Sequence, residues 1–221
     1  VIGILSVTGI GFGLTLKLVE FGGGNLLLLL LIAAVACIIL GMGMPTAAVY
    51  ILCASLVAPS LIEVGVQPMA AHMFILYFGM MSMITPPVAL AAYAAASIAG
   101  EDPVKTGFWA MRFGWFAYIV PFLFILAPEL LMQGPWQWIV YYAALAFCGI
   151  WFISAGIVGY FTRPMGLLTR IGILVAGIAV LVPTYAFVGS LWVDIAGVIA
   201  GLAILVREWR AVHVPRVQPA Q

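Results

Sequence analysis

Apolar residues run along this chain in long unbroken stretches, at about 1–19, 26–41, 45–63, 68–84, 86–100, 107–132, 137–161, 166–187 and 190–206. A helix needs about 20 apolar residues to cross the hydrocarbon core of a bilayer, so these stretches read as membrane-embedded helices. Their continuity excludes a transmembrane β-barrel, whose strands alternate apolar and polar positions. The pattern predicts an all-α, polytopic transmembrane protein.

Two joints in the pattern are unusual. Stretches 26–41 and 45–63 are separated only by Gly-Met-Gly-Met at Gly41–Met44, and stretches 68–84 and 86–100 meet at Thr85-Pro86-Pro87. Pro45 has no backbone N–H and disfavours a helical residue before it, yet suits the first position of a new helix. One helix should therefore end near Leu40 and another begin at Pro45, with Met44 near its N-cap and the Thr46 hydroxyl at its start. Gly41 and Gly43 permit left-handed turns and close backbone approach. The lengths on either side suit a re-entrant hairpin tipped by Gly41–Thr46 and suit two full spans with a tight turn equally well.

Ser82-Met83-Ile84-Thr85-Pro86-Pro87 repeats the logic. Thr85 reads as an N-cap and Pro86 as a first helical residue, so a helix from Met69 to Ile84 would give way to one from Pro86 to Ala99. The second is rich in alanine, which lets neighbouring helices approach closely. In lipid, a broken backbone is tolerated only where protein buries it or where it lines a cavity. Secondary transporters use such breaks: helix N-termini face anionic substrate, and freed carbonyls hold coupling ions. Pro45-Thr46 and Thr85-Pro86 offer the first kind of end, Leu40-Gly41 and Met83-Ile84 the second. Simple kinks between packed helices would give the same letters.

Composition narrows the class. Of 221 residues 66% are hydrophobic and 7% charged, against roughly 25% charged in a soluble domain. Too few polar side chains exist to cover a water-facing surface, which rules out a soluble or disordered protein. The net charge of +1 leaves no basic patch for nucleic acid. Cys37, Cys53 and Cys148 lie in apolar stretches without CxxC spacing and read as small core residues. The chain opens at Val1 with no basic n-region, so no signal peptide is expected, and it reads as the C-terminal piece of a longer chain.

The charges then give an orientation. Lys105, Arg112, Arg163, Arg170, Arg207, Arg210 and Arg216 fall on one side of four alternating spans between 107 and 206, and only Lys17 falls on the other. The positive-inside rule makes that side, and the C-terminus, cytoplasmic. Glu20, Glu63, Glu101, Asp102 and Glu208 fall in connections. Glu129 and Asp194 lie about one turn inside span ends, where a side chain is expected to reach the interface. His72 is expected to be interfacial or hydrogen-bonded rather than a proton carrier. No Asp, Glu, Lys or Arg sits at mid-span, which counts against a cation/proton antiporter. No catalytic constellation is present, so no enzyme is expected, whereas a non-transporting scaffold protein would have no need of paired helix breaks.

Two motifs and a polar turn also resemble a known family. Ile38-Ile39-Leu40-Gly41-Met42-Gly43-Met44-Pro45-Thr46-Ala47-Ala48 resembles the large membrane subunit of TRAP transporters, and Ser82–Tyr93 resembles the helix break of that subunit's second repeat. Gly100-Glu101-Asp102-Pro103-Val104-Lys105-Thr106-Gly107 is similar to the turn before its last core helix, and the variant resembled is the fused permease that partners TAXI-type periplasmic binding proteins. The resemblance covers about residues 1–132, with 133–221 a C-terminal extension of about three spans and a basic tail. It implies an inner-membrane, Na⁺-coupled importer of small organic anions such as carboxylates. Substrate would be delivered by a periplasmic binding protein, and a transport domain would move as an elevator. The N-terminal remainder of the permease, including small-subunit-like helices, would be a further partner. Na⁺ would be the coupling ion, with no organic cofactor and no transition metal. The implied Na⁺ positions are Gly41, Gly43, Thr46, Ser82 and Thr85; the implied substrate positions are Pro45, Thr46, Thr85 and Pro86. No basic residue lies in this segment to read a second carboxylate.

Overall fold

The computed structural model describes residues 10–182 and 190–213. The expected segment at 1–9, the turn at Val188-Gly189 and Arg216 lie outside the described residues. Every regular element among the described residues is a helix; extended pairing is limited to one isolated bridge, Tyr160 with Pro164. Chain packing divides into two units, residues 1–131 and 132–221.

The first unit starts with α1 (Ile10–Gly22), then a turn through Gly23 and Gly24, both at positive φ. Asn25 caps α2 (Leu26–Gly41) by accepting from the Leu28 N–H at 3.2 Å, which satisfies an N-terminal donor without a helical partner. Gly43, at φ 78°, turns the chain into α3 (Thr46–Leu56), a position few side chains tolerate. The expected single run over 45–63 is two helices, α3 and α4 (Ala58–Glu63), bent at Val57. Pro59 is the cause, because it cannot donate to the carbonyl of Ser55.

Next come α5 (Pro68–Met81), α6 (Leu90–Ala99), α7 (Pro103–Phe113), α8 (Phe116–Leu126) and a 3₁₀ turn, Pro128–Leu131. The expected continuous span over 107–132 is bent at Gly114-Trp115 and ends at Leu126. Asp102 caps α7 by accepting from the Lys105 N–H at 2.7 Å. The core of the unit gathers α2, α3, α4 and α5. Leu29, Leu30, Val49, Leu61, Phe74 and Ile75 are all at most 2% exposed. Cys37 and Cys53, on the two arms of the α2–α3 hairpin, are both fully buried within that core as free thiols. Phe122 of α8 sits edge-on to Phe74 and Phe78 of α5, at 5.4 and 5.5 Å between ring centroids, so aromatic packing fixes α8 against α5. His72 is hydrogen-bonded, its Nδ1 3.1 Å from the Tyr50 hydroxyl.

The second unit consists of α9 (Trp136–Val158), α10 (Leu167–Leu181) and α11 (Ser190–His213). Glycines bring these helices together: a Cβ on Gly149 would lie 2.6 Å from Leu181, and one on Gly177 would lie 2.6 Å from Ile153. This is small-residue packing of the kind membrane bundles use. Arg170 closes the C-terminal end of α9 by donating to the carbonyls of Gly156 and Ile157, where a cation also suits the helix dipole.

Two expectations about acids are corrected here. Glu20 and Glu208 are not in connections, because α1 runs on to Gly22 and α11 to His213, and the Asp194 side chain does not reach outward, being fully buried and accepting from the Tyr141 hydroxyl at 3.1 Å. Asp194 and Glu208 lie on the buried stripe Ser190, Asp194, Gly197, Gly201, Leu205, Glu208, whose steps of three and four residues keep one helix face turned inward. Glu208 is paired with Arg163 at 2.6 Å. Its hydrogen bond and charge raise the Arg163 pKa further above the ordinary guanidinium value. Glu129 lies in the 3₁₀ turn, half-buried.

Candidate functional site: a hairpin end joined to a helix break

Pro45 cannot donate to the carbonyl of Gly41, four residues earlier, so the end of α2 carries an acceptor without its helical donor. Ser82 lies against it. Its hydroxyl is 3.0 Å from the Gly41 carbonyl oxygen and 2.6 Å from that of Gly79, so its single proton is shared between two carbonyls with Gly79 the nearer, and the side chain is buried. The Gly41 carbonyl also takes the Met44 N–H at 3.4 Å. The first break in the chain is thus tied directly to the second.

The backbones can meet this way because Gly41 has no side chain. A Cβ there would lie 2.8 Å from both the Gly79 oxygen and Ser82 Oγ. One turn further along, a Cβ on Gly79 would lie 2.6 Å from Val49 Cγ1. Two glycines on facing helices therefore seat both arms of the hairpin against α5.

The second break is longer than the sequence suggests. Thr85 is not an N-cap and Pro86 does not open a helix: α5 ends at Met81 and α6 starts at Leu90. Adjacent prolines explain the delay, because two consecutive donors are missing and Pro87 keeps Pro86 out of helical conformation. The Pro86–Pro87 bond is cis, and Ala89, at φ 31°, turns the chain into α6. The break is held by side chains and by one long backbone bond. The Ala91 N–H reaches back to the Met83 carbonyl at 3.0 Å, and Tyr93 donates to the Pro87 carbonyl at 2.8 Å. Thr85 Oγ1 donates to the Met81 carbonyl at 2.6 Å and lies 2.6 Å from the Tyr118 hydroxyl.

Gly107 and Gly114 let the next helices lie close along this break. Added Cβ atoms there would come within 2.9 Å of Pro86 Cγ and 3.0 Å of Ile84 Cδ1. Of the positions singled out from sequence, the structure brings Gly41 and Ser82 into contact and sets Thr85 and Pro86 beside α7 and α8. Gly43 and Pro45 are exposed at the hairpin tip and Thr46 is half-buried. Among the described residues no hydrogen bond joins Pro45 or Thr46 to Ser82–Pro87. Tyr93, Gly107, Gly114 and Tyr118 were missed. Only the two glycines carried a readable signal, Gly107 within a helix that otherwise has bulky faces and Gly114 at the bend that follows it.

Taken with its composition, this all-helical architecture defines a polytopic membrane protein. Among the described residues three helices are long and apolar enough to cross a bilayer, namely Pro103–Leu126 (through the bend at Gly114-Trp115), Trp136–Val158 and Ser190–Arg210. The family described as "Tripartite ATP-independent periplasmic transporter, DctM component" matches residues 1–139. The chain belongs to that family, the permease component of TRAP transporters. Neither a curated protein nor a solved structure matches it.

Proposed function

We propose that this chain is the site-bearing part of a Na⁺-coupled permease that imports small organic anions, with substrate delivered by a TAXI-type periplasmic binding protein. The observation that carries the reading is the Ser82 hydroxyl on the freed Gly41 carbonyl. It gathers two helix ends, several carbonyls and the Ser82 and Thr85 hydroxyls into one region that holds no carboxylate, histidine, lysine or arginine. Such a set of neutral oxygens suits a monovalent cation and offers no proton relay. The anion would face the N-terminus of α3, where Thr46 is the first helical residue and no side chain caps the backbone donors.

Helix geometry suits a re-entrant hairpin. The 16 residues of α2 rise about 24 Å at about 1.5 Å each, and the second arm is bent at Val57 between α3 and α4, so neither arm is a straight crossing of a hydrocarbon core of about 30 Å. The seven-to-one split of basic residues supports a cytoplasmic C-terminus in the bacterial inner membrane. The proposal includes an elevator motion of the hairpin-bearing unit and a packing role for residues 133–221.

Uptake of a panel of radiolabelled short mono- and dicarboxylates into liposomes holding the intact transporter tests the reading. Uptake is expected only with an inward Na⁺ gradient and with the binding protein present. Uptake driven by a pH gradient alone would overturn Na⁺ coupling. In the same assay Thr46→Ala and Thr85→Ala are each expected to raise the Na⁺ concentration for half-maximal uptake by about tenfold, the cost of one oxygen ligand or charge-assisted contact. An unchanged Na⁺ curve in either variant removes that residue from the ion site.

A further inference from the structure

We propose that Tyr118 is the positioning residue of the helix break, fixing the one lone pair that Thr85 has left for a cation. The proposal rests on the Na⁺ reading of Thr85 given above. It starts from a count of protons. Thr85 has a single hydroxyl proton, and its oxygen lies 2.6 Å from the Met81 carbonyl oxygen. A carbonyl only accepts, so Thr85 must donate there. The 2.6 Å contact between the Thr85 and Tyr118 hydroxyls then has one consistent direction, with the phenol donating to Thr85. Of the two lone pairs on Thr85 Oγ1, one is taken by Tyr118. The other has a direction fixed by the remaining substituents of the oxygen.

Tyr118 is itself held for this task. It lies one turn before Phe122 on the same face of α8, and Phe122 is wedged against Phe74 and Phe78 of α5. Gly114, at the bend between α7 and α8, lies against Ile84, immediately before Thr85. Pro121 cannot donate to the Ala117 carbonyl, so the first turn of α8, which carries Tyr118, lacks one backbone bond and relies on these side-chain contacts. Loss of the phenol oxygen would leave the Thr85 hydroxyl bonded to Met81 and free to swing about that bond. A ligand that must be re-ordered on binding lowers affinity without changing the number of ligands.

The test is Na⁺-dependent thermal stabilisation of the purified intact transporter, with NaCl exchanged for KCl at constant ionic strength. This readout needs no substrate, because a ligand that binds only the folded state raises the melting temperature according to its dissociation constant. Tyr118→Phe is expected to raise the apparent Na⁺ dissociation constant about three- to tenfold, the worth of one neutral hydrogen bond, with little change of melting temperature in KCl. Thr85→Ser keeps the oxygen and both hydrogen bonds and is expected to keep the wild-type Na⁺ curve. Thr85→Val is expected to weaken Na⁺ strongly, and adding Tyr118→Phe to it should cost nothing further, since Tyr118 acts through Thr85.

A wild-type Na⁺ curve in Tyr118→Phe beside a weakened one in Thr85→Val overturns the role of Tyr118 and leaves the cation reading standing. A lower melting temperature in KCl with an unchanged Na⁺ constant overturns it as well, by showing a structural role only. Wild-type Na⁺ binding in Thr85→Val removes the cation reading of Thr85, and the role of Tyr118 goes with it.

Discussion

Gly41→Ala is expected to destabilise the protein and blunt its response to Na⁺, although alanine is the better helix former. Gly41 is the last residue of α2 and has ordinary helical backbone geometry. At a plain helix position, replacing glycine by alanine stabilises by about 0.4–1 kcal/mol, because the unfolded chain loses freedom. Here the new methyl would lie 2.8 Å from the Gly79 carbonyl oxygen and 2.8 Å from Ser82 Oγ. The Ser82 side chain can rotate, but only by giving up its bonds to Gly41 and Gly79. The Gly79 backbone cannot move without disturbing Val49, which packs against it from α3. Overpacking of this kind typically costs about 1–3 kcal/mol, enough to reverse the propensity gain. Melting curves of the purified transporter in NaCl and in KCl read both effects. A higher melting temperature with an intact Na⁺ shift would show that the hairpin end and the helix break do not meet in the folded protein, and would undo the site.

The alanine result also marks how far sequence could reach. Glycine and proline placed both breaks, because each acts on its own backbone. The boundaries of α2 came out as read, fixed by Asn25 at one end and Pro45 at the other. What failed depended on neighbours or on a second residue in line. Thr85-Pro86 has the letters of a helix start, yet Pro87 cancels it and the Thr85 hydroxyl turns to Met81 and Tyr118 instead. Ser82 was legible as a hydroxyl at a helix end, but its attachment to Gly41 spans 41 positions along the chain, which no local pattern encodes. Asp194 and Glu208 were misplaced for another reason. The depth of Asp194 was read but its face was not; Glu208 was placed beyond a helix that in fact runs on to His213, and the spacing from Ser190 to Glu208 carried both pieces of information.

The two units give a final prediction in which one kind of substitution has separate consequences. Phe74 in the first unit and Phe152 in the second are both fully buried. Phe74 packs on Phe78 and Phe122, directly below the break; Phe152 fills the groove left by Gly201 in the three-helix unit. Truncation of a buried phenylalanine to alanine costs about 3–5 kcal/mol in a water-soluble core. Helices that separate within a bilayer still bury that ring in lipid, so the transfer part falls away and the loss of packing contacts remains. About 2 kcal/mol is expected for each variant on that basis. Phe74→Ala should also raise the Na⁺ dissociation constant, because Phe122 loses its seat and Tyr118 is carried on the same face of α8. Phe152→Ala should lower stability by a similar amount with the Na⁺ constant unchanged. Equal loss of Na⁺ affinity in both variants would show that residues 132–221 shape the ion site, and their packing role would have to be replaced by a functional one.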